Sequence, residues 1–225
     1  MADEELFKRL FQQDHDHQES LLESAEVLSL LYSFNGEDTT EGSSEMSRLA
    51  ELAEKTVPVL YRDTQEIVAR ELIQKRAEWR AILPHAVSNN LAKRALKRIP
   101  LSLIQQKLLL QGTERMITSF SRRLGYLHDS TEAQDMVTEI LATNGWLGST
   151  LTNLSTFGFR VLQNLAPVAP EALLSALERI SNSEADAFFT KSSLHAQGFT
   201  KIIFHIAYED PVSYTHLTLP TIYSV

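Results

Sequence analysis

Apolar residues recur at helical spacing along most of this chain, and the exceptions mark its turns. Leu21, Ala25, Leu28 and Tyr32 predict an amphipathic helix over 20–34. Ser20 stands where it would cap that helix, and Glu23, three residues on, would complete a capping box. Residues 35–44 are polar, contain Gly36 and Gly42, and predict an exposed loop. Met46, Leu49, Ala50 and Ala53 mark a second helix with Ser43 or Ser44 as its cap. Lys55-Thr56 forms a short turn, and Pro58 suits the first turn of a third helix, where its missing N–H costs nothing. That helix is expected to reach about Leu72, with Leu60, Thr64, Ile67, Val68 and Leu72 inward. The period then changes. Residues 73–76 and 79–83 flank Ala77-Glu78 and predict a hairpin.

Beyond Pro84 the pattern is helical again. Leu91, Ala92, Ala95 and Ile99 share a helix face that Pro100 ends. Leu103, Ile104 and Leu108 follow as far as Gly112, and Ile117, Phe120, Leu124 and Leu127 mark the next helix. Ser130 is placed to cap the helix of Met136, Val137, Ile140 and Leu141. A turn at 144–148 precedes a helix running from Leu151 through Leu165. Pro167 and Pro170 open the helix of Leu173, Leu174, Leu177 and Ile180, and Phe199, Ile202, Ile203 and Ile206 predict a last one after a loop or short helix around Phe188-Phe189.

Three helices and then a hairpin is the order of a winged helix-turn-helix. The expected fold is therefore mainly α: a winged helix followed by an antiparallel α-helical hairpin array, the start of a helical-repeat region with no strict period. Four segments follow. Residues 1–19 are acidic and read as a truncated helix, with Met1 an internal start. Residues 20–99 are the winged-helix domain with its His-bearing helix, and 100–210 are an α-helical domain. Residues 211–225, PVSYTHLTLPTIYSV, hold no Asp, Glu, Lys or Arg and resemble translated sequencing-adapter DNA, which makes them an expected artefactual tail. The other reading of this tail is a strand, since Thr, Ile and Tyr favour strands.

Composition narrows the class. With 225 residues and 43% hydrophobic content, one or two cores can form. The absence of cysteine excludes disulfides and Cys-based zinc sites. The first five residues are acidic, unlike a secretory signal, and no apolar run approaches the roughly 20 residues that span a bilayer. A cytoplasmic protein without a membrane partner is expected. Charge is uneven: residues 1–54 carry net −11, 55–124 net +9 and 125–225 net −6. A basic middle either binds a polyanion or faces an acidic surface of the same parent protein.

Little in the chain promises catalysis. The eight glycines form neither type of phosphate-cradling loop, so no enzyme and no cofactor of its own are expected. Asp14-His15-Asp16-His17 reads as a solvated loop rather than a metal site, and no Ser–His–Asp spacing supports a hydrolase. Arg62 and Arg70 on the third helix, with Lys75, Arg76 and Arg80 on the hairpin, are candidates for contact with nucleic acid or another domain. Asp63 and Glu66, expected on the exposed surface of the same helix, oppose a DNA phosphate there. Lys93, Arg94, Lys97 and Arg98 form a basic stripe and Arg122-Arg123 a second basic point. These are solvated, or they contact the acidic N-terminal part, a neighbouring domain or nucleic acid.

The run Trp79 to Ala92 reads as a strand that ends in a His and passes straight into a helix. It resembles the end of the winged-helix domain in STAND-class (NB-ARC-like) signalling ATPases, the group of plant immune receptors and apoptotic ATPases. The resemblance is strongest over 20–99. Residues 119–128 are similar to the helical region that follows the winged helix in large bacterial ATP-binding regulators, some of them antiviral defence proteins. The family's motif is Met-His-Asp; here Pro84 stands for Met and Ala86 for Asp. The resemblance implies a fragment of a nucleotide-controlled switch. ADP or ATP would belong to the parent protein, His85 would sense the ADP phosphates, and the partners would be a missing ATPase domain and a homo-oligomer on activation. Two other classes stay open: a DNA-binding transcription regulator with a helical dimerisation domain, and an α-helical scaffold.

Overall fold

The structure is a computed structural model that describes residues 15–183. The expected last helix, the Phe188-Phe189 segment and the tail 211–225 lie outside the described residues, as do residues 1–14. The described chain is mainly α-helical with one small antiparallel sheet. It divides into two compact units between Arg123 and Leu124, so residues 100–123 cluster with the first unit.

In the first unit α1 spans His15–Leu28, β1 Phe34–Asn35, α2 Glu45–Leu52 and α3 Val57–Ala69. The hairpin strands are β2, Ile73–Arg76, and β3, Trp79–Ile82, and α4 is His85–Arg98. A short α5, Leu101–Gln105, runs into a π-turn over Gln106–Leu110, and α6 spans Glu114–Gly125. The sheet order is β1-β3-β2, with β3 in the centre. Ile73 lies opposite Ile82 and Arg76 opposite Trp79, the register set by the two-residue turn at Ala77-Glu78. Ala77 takes a positive φ of 52°, the left-handed twist that a tight hairpin turn needs. The core gathers Leu28, Phe34, Leu49, Leu60, Ile67 and Leu91, all fully buried, from one face of each element.

Three sequence expectations change here. The first helix starts by His15 and stops at Leu28, so Ser20 lies inside it and forms no capping box. Leu30 and Leu31 bond back to Val27 and Leu28 in tight turns, and the chain then enters β1, a strand that two residues of pattern cannot announce. Tyr32 therefore sits in a turn, not on a helix. The third helix ends at Ala69 because Glu71 adopts a positive φ of 60° and turns the chain so that Leu72 N–H bonds to Ile67 O. Other expectations hold: Ser44 caps α2 by accepting from Ser47 N–H, and Pro58 lies in the first turn of α3.

The second unit holds α7, Thr131–Leu141, a 3-10 turn over Gly148–Asn153, α8, Thr156–Leu165, and α9, Pro170–Ser183. Ser130 caps α7, as its position predicts. The helix expected over 151–165 is two pieces, because Ser155 caps a fresh helix by accepting from Gly158 N–H. No described helix is long and apolar enough to cross a membrane.

Candidate functional site

His85 is the first residue of α4, directly beyond β3 and the cis Leu83–Pro84 peptide. Pro84 has no side chain that can accept from the first-turn N–H groups, so no side-chain cap neutralises that end of the helix. His85 is exposed, and its ring stacks on Tyr32, with centroids 5.2 Å apart and planes inclined by 19°. The Tyr32 hydroxyl lies 3.4 Å from His85 Nε2. The guanidinium carbon of Arg122 stands 3.7 Å from the centroid of the same Tyr32 ring, and that of Arg123 5.5 Å away. Arg122 is exposed, whereas Arg123 is fully buried and donates to Asn89 Oδ1 on α4.

This cluster is held by backbone. Tyr32 N–H donates to Ser119 O at 3.2 Å, and Ser33 N–H to Ser119 Oγ at 2.9 Å. Arg115, one helical turn earlier on α6, donates to Ser33 O at 2.9 Å and to both Glu45 oxygens at 2.6 and 2.7 Å. Its guanidinium also lies 4.1 Å from the Trp79 ring centroid. Burial raises the Glu45 carboxyl above the usual carboxylate range despite the Asn35 N–H and Arg115 that oppose it. Burial likewise lowers Arg115 against the pull of Glu45. Arg115 thus ties α6 to the turn before β1, to α2 and to β3, and so carries Arg122 to the Tyr32 ring.

The basic candidates scatter. Arg80 is not a surface contact at all. Its side chain is 1% exposed, donating to Ala77 O, Trp79 O and Glu37. A central strand position and a neighbouring glycine explain this: a Cβ on Gly36 would lie 2.5 Å from Arg80 Cγ. Lys75 pairs with Glu37 at 3.4 Å and Arg70 with Glu66. Arg94 and Arg98 both grip the buried Glu26 of α1, at 2.7 and 3.0 Å, and Arg98 reaches Glu23 at 3.4 Å. Arg62, Arg76 and Lys97 are exposed on three different elements; Lys93 is half-buried on α4. Asp63, expected at the surface, is buried: its Oδ2 accepts from Ser24 Oγ at 2.5 Å and Lys55 Nζ at 2.8 Å.

Sequence reading singled out His85 but missed Tyr32 as its partner and did not join Arg122 to it. Tyr32 looked like a core helix position, and nothing in local spacing links three residues so far apart in the chain. Among the described residues no group of three or more His, Cys, Asp or Glu is placed to hold a metal. Comparison with protein-family models, curated proteins and solved structures found no match.

Proposed function

We propose that this chain is the regulatory part of a nucleotide-controlled switch of the STAND type, a winged helix that closes over ADP held by an ATPase domain outside these 225 residues. The observation that carries the reading is the exposed His85 at the uncapped start of α4, immediately after the central strand. An imidazole donor beside first-turn N–H groups suits a phosphate. The order α1-β1-α2-α3-β2-β3 with sheet order β1-β3-β2 supports a winged helix, and α7 to α9 suit the start of a helical hairpin array that passes on the signal or binds partners. The protein would act in the cytoplasm, without enzyme activity in this chain, and would assemble into oligomers when the closed state is released, as in a defence response. ADP holds the switch only through its higher affinity for the closed state.

In the parent protein, His85→Ala should weaken ADP binding by roughly 10-fold, the loss of one hydrogen bond to a charged group, and should raise oligomer formation without a trigger. Unchanged ADP affinity together with a silent protein would overturn the reading. Sequencing the source locus across both ends of the reading frame tests the same idea: an in-frame phosphate-loop ATPase upstream supports it.

One observation favours a second reading, a winged-helix DNA-binding regulator with a helical dimerisation unit. Asp63 is buried and Glu66 pairs with Arg70, so the repulsion expected on α3 is absent, and Arg62 and Gln65 are exposed there. A gel shift over a salt series separates the two. Sequence-specific binding with a steep salt slope supports the regulator.

A further inference from the structure

We propose that Arg122 is the second binding residue of the His85 site, and that Tyr32 is the platform that presents both to one phosphoryl group; the proposal rests on the reading of His85 as a phosphate sensor. Stacking uses the faces of the guanidinium and the imidazole. Their N–H donors lie in the ring planes and stay outside the stack, around the rim of Tyr32. Arg122 lies 3.7 Å and His85 5.2 Å from one Tyr32 ring centroid, so the ring is flanked by both groups and their donors reach outward at its rim. Arg122 has no carboxylate partner among the described residues, unlike Arg70, Arg80, Arg94, Arg98 and Arg115, each of which pairs with an acid. A guanidinium stacked on an aromatic ring with its fork unspent is pre-organised for an oxyanion: the stack has already restricted its rotamers. Arg122 is held there from beneath, since α6 is tied to the turn that carries Tyr32 by the bonds of Ser119 to Tyr32 and Ser33. The partner is therefore a phosphoryl group at the edge of the nucleotide, read by one fork and one imidazole.

The test is calorimetric titration of the 225-residue chain with inorganic pyrophosphate at fixed ionic strength, with acetate as the comparison anion. Wild type should bind pyrophosphate in the millimolar range and acetate more weakly. Arg122→Gln and His85→Gln should each weaken pyrophosphate binding by up to about fivefold, the upper end for an exposed charge pair. Tyr32→Leu, which removes the platform, should do the same, while Tyr32→Phe, which keeps the ring face, should bind like wild type. Arg160→Gln, an exposed cation on α8, should change nothing. Melting curves check that each variant is folded. Retention of binding in Arg122→Gln with loss in His85→Gln would overturn the role of Arg122 and leave the sensor reading standing. Equal loss in Arg160→Gln, or no binding by wild type, would overturn the paired site. The sensor reading would then stand or fall on ADP affinity in the parent protein.

Discussion

Removing Arg115 should loosen the first unit in a way that depends on pH. Arg115→Ala strips Glu45 of its cation and leaves a carboxylate whose side chain is only 10% exposed, with Asn35 N–H as its remaining partner at 2.7 Å. Breaking a buried pair from one side costs about 3–5 kcal/mol. The Arg115 side chain is itself 33% exposed, so solvent screening reduces this to roughly 2–3 kcal/mol. Loss of the guanidinium from the Trp79 face adds about 0.5 kcal/mol. A total near 3 kcal/mol should lower the melting temperature by about 10 °C. The pH course carries the physics. Burial already raises the Glu45 carboxyl above its ordinary 4.5, so the folded state holds its proton more tightly than the unfolded state. Its contribution is therefore favourable below 4.5 and is lost as pH rises through the folded value. Arg115 opposes that rise, both by charge and by hydrogen bonding. Without it the folded value climbs further, so the variant should lose little near pH 4 and the full amount near neutrality. Urea denaturation of a Trp146→Phe background, followed by Trp79 fluorescence, reads it. Glu45→Met with Arg115→Met should recover most of the loss, since replacing both partners by apolar groups is near neutral. A loss below about 1 kcal/mol at neutral pH, or one equal at both pH values, would refute the argument.

Three further perturbations probe the same unit. Gly36→Ala places a methyl 2.5 Å from Arg80 Cγ, and Arg80 is held by Ala77 O at 2.7 Å and Trp79 O at 3.0 Å; urea denaturation should show a loss of about 1–3 kcal/mol, and a neutral result means Arg80 relocates at no cost. The Glu37 carboxyl is lowered by hydrogen bonds from Lys75 and then Arg80, so the stability it contributes is present above 4.5 and lost as pH falls through the lowered folded value. The difference in urea midpoint between wild type and Glu37→Gln should shrink as pH drops through that window, and a constant difference would contradict the pairing. Lys55→Met leaves Asp63 buried with only Ser24 against it and should cost about 3 kcal/mol in thermal melts, largely restored by Asp63→Leu in the same chain.

The elements legible in the sequence are those that announce themselves locally. Ser44, Pro58, Ser130 and the Ala77-Glu78 turn each satisfy or break backbone hydrogen bonds within a few residues, and each stands where the pattern puts it. What failed was set by distant partners. β1 is two residues long and exists because β3 offers it an edge, so Phe34 and Asn35 carry no alternation to read. The first helix lost its last turns for the same reason: Tyr32, Ser33 and Phe34 are claimed by α6 and β3. His85 was visible because strand, His and helix adjoin in sequence. Tyr32 reaches it, and Arg122 reaches Tyr32, only through the tertiary fold.

The uneven charge along the chain has a spatial explanation that bears on function. Within the described residues the acidic and basic stretches pair inside one folded unit: Glu26 meets Arg94 and Arg98, Glu37 meets Lys75 and Arg80, Glu45 meets Arg115, and Glu51 meets Lys107. Several of these pairs are partly buried, where removing one charge costs more than the pair itself contributes, so they fix which surfaces meet more than they add stability. A net +9 segment therefore does not become a +9 surface. Among the described residues the exposed cations outside ion pairs in the first unit are Arg62 on α3, Arg76 on β2, Lys97 on α4 and Arg122 on α6. Three of them stand on separate elements with no aromatic partner, too sparse for the dense phosphate contacts of a duplex. Arg122 alone stands on an aromatic ring that also holds a histidine. Charge placement thus favours a single small anion at His85 over a polyanion spread across the unit.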